Sequence, residues 1–152
     1  MVSPELLRRY PLFGSLNDEQ IKAIAMISNE KSFSPTGIVF QENTNANKLY
    51  IVVEGDVDLM YSGGGEGAIA NAPVGSIASG EVFGVSSLLG PFRYIDTAQC
   101  AKATTVIEID ANALRALCEV DHHMGYALMH LLLQAALERL KYTQIELASA
   151  RA

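Results

Sequence analysis

The sequence predicts a mainly β domain with flanking helices: a jelly-roll β-barrel, N-terminal helices before it and one long helix after it. Two observations carry the barrel. Many short strand-like runs lie between Lys31 and Asp110, and turn clusters separate them at frequent intervals. A third observation places the helices, because helical periodicity with capping residues appears only outside that window. One domain of 152 residues is expected, with helices over residues 1–30, the β-roll over 31–110 and the C-terminal helices over 111–152.

In chain order, Pro4 to Tyr10 has a short helical pattern with Leu6 and Leu7, ended by Pro11. Asn17 is a good N-cap, and Gln20 three residues on can complete a capping box. Ile21, Ile24, Ala25 and Ile27 or Ser28 then form one apolar stripe, as expected of a helix docked on the β core. Strands are expected at Lys31–Phe33, Ile38–Gln41, Leu49–Glu54, Val57–Tyr61, Ala68–Ala72, Gly75–Ile77, Val82–Phe83, Ile95–Ala101 and Ala103–Ile109. Their separators are Ser34-Pro35-Thr36-Gly37, Asn43-Thr44-Asn45-Ala46-Asn47, Glu54-Gly55-Asp56 and Gly63-Gly64-Gly65. The last has no Lys-Ser/Thr after it, so it reads as a hairpin tip rather than a phosphate loop.

Asp110 caps a helix with Leu114, Ala116 and Leu117 inward, and Asp121 caps a long one from His122 to about Ala148. Along the long helix Tyr126, His130, Leu133, Leu137, Leu140, Gln144 and Leu147 recur at alternating spacings of four and three, a heptad seam. Met124, Ala127, Leu128, Leu131, Leu132 and Ala135 make a second apolar face. One face suffices to dock on the domain, so the seam is expected to form a homodimer.

Composition narrows the function. The chain is 49% hydrophobic with net charge −6, and no basic cluster offers a nucleic-acid footprint. No apolar run is long enough to span a membrane, and no basic-then-apolar leader opens the sequence, so a soluble cytoplasmic protein is expected. Cys100 and Cys118 lack metal-ligand spacing and read as buried thiols. His122 and His123 splay about 100° apart on a helix and do not readily share a metal. Asp56 and Asp58 read as solvent-facing strand residues. No metal, no cofactor and no catalytic arrangement is expected, hence no enzyme.

One stretch carries chemistry. From Gly80 to Ala101 the pairs Gly80-Glu81 and Phe83-Gly84 end a strand, and one helical turn follows at Val85-Ser86-Ser87-Leu88-Leu89. Gly90-Pro91 breaks it, and an extended pattern resumes at Tyr94. Glycines and a helix start together let backbone N–H groups approach an anion. Pro11-Leu12-Phe13 with Leu16 to Gln20, Pro35 to Glu42, Leu49 to Val57, and Gly80-Glu81-Val82-Phe83-Gly84 extend the pattern. On these residues the chain, over roughly Leu12 to Leu147, resembles the cyclic nucleotide-binding domain family. That family supplies the sensor half of catabolite-activator-type regulators and of cyclic-nucleotide-dependent kinases. The chain shows no helix-turn-helix after the sensor, as either a free-standing module or a fragment would.

The resemblance implies a small-molecule effector at Gly80, Glu81, Phe83, Gly84, Val85, Ser86, Ser87, Arg93, Ile95 and Asp96. It also implies a departure. Val85 stands where the family has a ribose-binding glutamate, and Ile95 where it has a phosphate-binding arginine, with Arg93 two residues early. Losing the charge-assisted phosphate bond removes roughly 1.5–3 kcal/mol, and an unpaired ribose hydroxyl costs roughly 1–3 more. That is about two to four decades of affinity, so cyclic nucleotide is a doubtful ligand. Three readings stay open: a sensor of an altered, partly apolar ligand, a ligand-free association module, and a cyclic-nucleotide sensor in which Arg93, Ser86 and Ser87 substitute.

Overall fold

In the computed structural model, which describes residues 1–63 and 72–152, two four-stranded antiparallel sheets carry the chain from Ser28 to Asp110. The strands are β1 (Ser28–Phe33), β2 (Ile38–Phe40), β3 (Lys48–Glu54), β4 (Asp56–Tyr61), β5 (Ala72–Ala78), β6 (Val82–Phe83), β7 (Thr97–Cys100) and β8 (Thr104–Asp110). One sheet runs β1-β8-β3-β6 and the other β2-β7-β4-β5, a jelly roll. Four helices flank it: α1 (Pro4–Arg8), α2 (Asp18–Met26), α3 (Ala111–Val120) and α4 (His122–Arg151). Short 3₁₀ turns occupy Pro11–Phe13 and Val85–Leu88.

The helix starts follow their capping chemistry. Asn17 accepts from the Gln20 backbone N–H at 2.9 Å while the Gln20 side chain accepts from the Asn17 N–H at 2.9 Å. Asp110 accepts from the Ala113 N–H, and Asp121 from the Met124 N–H.

Burial divides by strand parity. On β3, Leu49 and Ile51 face the helices while Tyr50 and Val52 face the roll interior, and all four are buried. On β8, Ile107 and Ile109 join the helix-side core, and Val106 joins the interior. Leu7, Phe13, Ile24, Leu114, Met124 and Leu128 cover the outer face of that sheet. The interior holds a ring cluster in which Phe40 stacks on Tyr94 at 3.7 Å and Tyr50 on Phe83 at 5.1 Å between centroids. Tyr94 is anchored at its far end, where its hydroxyl donates to the Lys48 carbonyl at 2.8 Å.

Several expectations need correction. The strand expected from Lys31 begins at Ser28, because pairing with β8 recruits the polar residues Ser28 to Glu30. Ser28 therefore leaves the α2 stripe, although its hydroxyl still donates to the Ile24 carbonyl at 2.6 Å. The strand expected from Ile95 begins at Thr97, and the one expected at Gly75–Ile77 extends over Ala72–Ala78. Ala116 is exposed rather than inward, and α4 runs to Arg151. Asp56 and Asp58 are half-buried, alternating with buried Val57 and Leu59, and Cys118 is half-buried. The strand expected at 68–72 and the hairpin tip expected at 63–65 fall mostly outside the described residues.

The β3–β4 turn has the least tolerance. Gly55 sits at φ 126°, and a Cβ there would lie 2.7 Å from Thr104 Cα, which is backbone and cannot turn aside. Gly80, at φ 88°, would meet nothing within 4 Å. Gly55→Ala is expected to lower unfolding free energy by more than about 2 kcal/mol, against about 1 kcal/mol for Gly80→Ala. Urea denaturation of the two variants side by side measures the gap, and equal losses would contradict it.

Candidate functional site

The segment that reads as an anion cradle is built around Gly84, whose φ of 75° turns the chain out of β6 into the 3₁₀ turn. Its missing Cβ lets the backbone lie against β3, since a side chain there would meet the Lys48 carbonyl and the Tyr50 ring, each at 3.1 Å. Ser87, fully buried, ties the turn back on itself: its hydroxyl donates to the Gly84 carbonyl at 2.7 Å. Arg115 of α3 then clamps the turn from outside. Its Nη1 donates to the Ser87 carbonyl at 2.6 Å, and its guanidinium lies 3.9 Å from the Phe92 ring centroid.

The ligand-contact positions inferred from sequence do not converge on one surface. Phe83 is fully buried in the roll's ring cluster. Val85 is half-buried and packs against the helix-side core, and Ser86 is half-buried. Ile95 is 71% exposed. Arg93 is exposed and spent on the neighbouring loop, donating from Nε to Asn43 Oδ1 at 3.0 Å and from Nη1 to Asn45 Oδ1 at 3.2 Å, with a further bond to the Asn43 carbonyl. Gly80 and Glu81 are exposed, and the Glu81 carboxylate accepts the Ala78 N–H at 3.1 Å.

Gly80, Glu81 and Val82 instead form one wall of a cleft of about 990 Å³. Its other walls are β5 at Val74–Ser76, the turn at Tyr10–Leu12 and α4 from Leu131 to Glu146. The sequence reading missed the residue that joins these walls. Arg139 of α4 is half-buried and donates from Nη2 to the Val82 carbonyl at 3.1 Å. Burial holds its pKa down, against the opposing fields of Glu81 and Asp96. The sequence signal was present: Arg139 lies four residues after Ala135, on the docked stripe of α4, where a charge is out of place.

The other inferred surface is the α4 seam. Tyr126, Leu133, Leu137, Leu140 and Leu147 are 75, 62, 56, 50 and 50% exposed, and His130 and Gln144 are exposed beside them. The opposite face is docked through Met124, Leu128 and Leu132. Among the described residues no helix is long and apolar enough to cross a membrane, and no group of three or more His, Cys, Asp or Glu could hold a metal ion.

Residues 30–121 match the family model for the cyclic nucleotide-binding domain. The chain belongs to the cyclic nucleotide-binding domain family. A crystal structure described as that of a cyclic nucleotide-binding protein from Geobacter metallireducens is 41% identical, covering 92% of this chain and 99% of the other, with a TM-score of 0.82. The N-terminal domain of a transcriptional regulator from Streptomyces coelicolor is 25% identical over 91% of this chain and 94% of its own, with a TM-score of 0.66. The sensor domain of the transcriptional regulator DNR from Pseudomonas aeruginosa shares the fold at 16% identity, with a TM-score of 0.71 over 87% and 91% of the two chains. No curated protein matches the sequence. As a cyclic nucleotide-binding domain the chain is a regulatory sensor module in its fold and kinship.

Within this cyclic nucleotide-binding domain Asp96 has an unusual setting. It is half-buried just before β7, and burial pushes its carboxyl up from 3.8 to about 6, with Arg139 pulling down and Glu42 adding to the rise. Glu42 is already engaged, accepting from the Ser62 N–H at 2.9 Å. The folded state thus holds the Asp96 proton more tightly than the unfolded chain does. Its contribution is fully present below about pH 4 and is lost as pH rises through about 6. Asp96→Asn is expected to raise stability at pH 7 by an order of 2 kcal/mol and to leave it little changed at pH 4. Thermal unfolding between those pH values checks this, and an equal shift at both would contradict it.

Proposed function

We propose that the chain is a non-enzymatic sensor module that binds a small, partly apolar effector at the roll and works as a homodimer through the exposed seam of α4. The observation that carries the ligand half is the state of the cassette. Its backbone scaffold is kept, with Gly84 left-handed against β3, while the side chains at the family's two polar contact positions are turned to packing and solvent. Val85 lies against the helix-side core, and Ile95 stands exposed. Arg93, the substitute considered for the phosphate contact, is occupied by Asn43 and Asn45. An effector recognised mainly by a ribose hydroxyl and a cyclic phosphate is the weaker reading.

A thermal-shift screen with cyclic AMP, cyclic GMP and a set of aromatic acids tests the ligand. An effector present at about 100 times its Kd stabilises by about 2.7 kcal/mol. The expected result is a rise with one or more aromatic acids and a weak or absent response to cyclic AMP. Strong cyclic AMP binding that is lost on Arg93→Ala would instead make the chain a nucleotide sensor. No response to any compound would leave an association module without a ligand, the reading that the buried ring cluster of Phe40, Tyr50, Phe83 and Tyr94 favours.

The dimer is supported by apolar side chains left uncovered at heptad spacing beyond the docked face. Light scattering at tens of micromolar protein is expected to give a dimer, and Leu133→Glu with Leu140→Glu is expected to give a monomer. A wild-type monomer, or a dimer indifferent to both changes, would remove the proposal.

A further inference from the structure

The exposed seam of α4 sets two polar side chains among leucines, and their positions in the heptad are informative. With Tyr126, Leu133, Leu140 and Leu147 at d, the a positions are His130, Leu137 and Gln144. Among the flanking e and g positions from Ala127 to Ala150, Lys141 is the one charged residue, so ion pairs do not choose a direction. The polar layers do. Two copies aligned in parallel and in register set His130 against His130 and Gln144 against Gln144. An antiparallel pair, packing a against d, sets His130 against Leu147 and Gln144 against Leu133, with no polar partner for either. A second copy in parallel is thus the occupant that matches polar group to polar group.

His130 enters that layer with its charge unanswered. It lies two residues from both Leu128 and Leu132, about 160° round the helix from the docked face. Its ring stacks on Tyr126 at 6.1 Å between centroids, and among the described residues it closes no hydrogen bond and no ion pair. The nearest ionisable residues along α4 beyond Tyr126 are His123 and Glu138, about 10 and 12 Å away along the axis. Of the elements packed on α4, α3 brings Arg115, committed to Ser87 and Asn112, and Glu119 near its end. The 3₁₀ turn Pro11–Phe13 brings no titratable side chain. His123 also falls at an a position, one heptad earlier, but it has a carboxylate to answer it. The Asp121 carboxyl is held below its usual range by bonds from Gln20 and the Met124 N–H and by the charge of His123.

We propose that the His130 layer makes self-association of the chain sensitive to acid, the two copies pairing when these imidazoles are neutral and separating when they are protonated. This rests on the dimer reading above and adds its regulation. In a parallel seam the facing a side chains meet at the axis. Neutral, one ring can donate to the other; doubly protonated, both offer only donors and like charges meet away from bulk water. Assembly therefore disfavours the protonated form, so the dimer is tightest above the imidazole range and weakens as pH falls through it. Bulk charge acts with the opposite sign. Protonating all three histidines takes the chain from −6 to −3, which reduces repulsion between copies. Weakening in acid is thus a signature of the seam and not of net charge.

Sedimentation equilibrium at fixed ionic strength, at about pH 8 and about pH 5.8, measures the dimer Kd. Excluding one of two protons from a pair of ordinary imidazoles raises Kd about threefold at that acid pH, and excluding both raises it about 35-fold. Wild type is expected to weaken within that range. The variants are His130→Gln, which repeats the Gln144 layer, His123→Gln, and Asp96→Asn as a control for the half-buried carboxyl that titrates nearby in pH. Circular dichroism checks the fold of each at both pH values. His130→Gln is expected to dimerise at both with Kd changed less than about twofold, while the other two keep the wild-type weakening. Should His130→Gln fail to dimerise at pH 8, His130→Leu carries the comparison. A wild-type dimer equally tight or tighter in acid would overturn the switch and leave the dimer standing. So would acid weakening that survives in His130→Gln, or that disappears in His123→Gln instead. A wild-type monomer at both pH values and tens of micromolar protein would overturn the switch and the dimer together.

Discussion

The inner strands β3 and β8 of the sheet β1-β8-β3-β6 are buried on both faces, and the remaining architecture follows from that requirement. A sheet with one wet face can leave alternate residues polar, but β3 places Leu49 and Ile51 under the helices and Tyr50 and Val52 inside the roll. Fully burying an aliphatic or aromatic side chain is worth roughly 1.5–3 kcal/mol, so neither face can be left open cheaply. The helices are the cover for one face and the second sheet is the cover for the other. Because β6 is the edge strand of this same sheet, the cassette that follows it is held where both covers meet. The position of the site is thereby a result of packing rather than of ligand chemistry.

The parts of this plan that are legible in sequence are those with short-range causes. The caps at Asn17, Asp110 and Asp121 form from residues three apart, and each helix starts where its cap predicts. The unbroken apolar run from Leu49 to Val52 announces a strand buried twice over. The two apolar faces of α4 separate cleanly into one docked and one exposed. What sequence leaves illegible depends on distant partners or on loops without a period. Ser28 to Glu30 look polar and join a strand only because β8 pairs with them. Ile95 and Asp96 sit between Gly90 and Thr97, where no periodicity says which side chain turns inward, and it is Asp96 rather than Ile95 that does. Arg139 bonds a carbonyl 57 positions away. Its one local trace is a charge on an otherwise apolar stripe.

The cassette in this chain is rigid for reasons that do not involve a ligand. Ser87 closes the turn internally, Arg115 fixes it to α3, and Arg93 fastens the following loop to the residues ahead of β3. Tyr94 completes the set by stacking on Phe40 inside the roll and bonding Lys48 at its edge. Polar groups that could have faced a bound molecule are used to hold the backbone. Arg139 does the same from the other side, through its bond to the Val82 carbonyl.

The docking of α4 has a mechanical side. Its last buried residue is Leu132, and residues 133–151 continue as helix with only partial support from Ala135 and Arg139. At 1.5 Å per residue that length is roughly 28 Å. A beam of this reach, fixed at one end, converts a tilt of about 10° near Leu132 into a travel of about 5 Å at its tip. The single bond from Arg139 to Val82 stands roughly 10 Å along the beam, nearer the fulcrum than the tip, where a small displacement corresponds to a larger excursion of the free end.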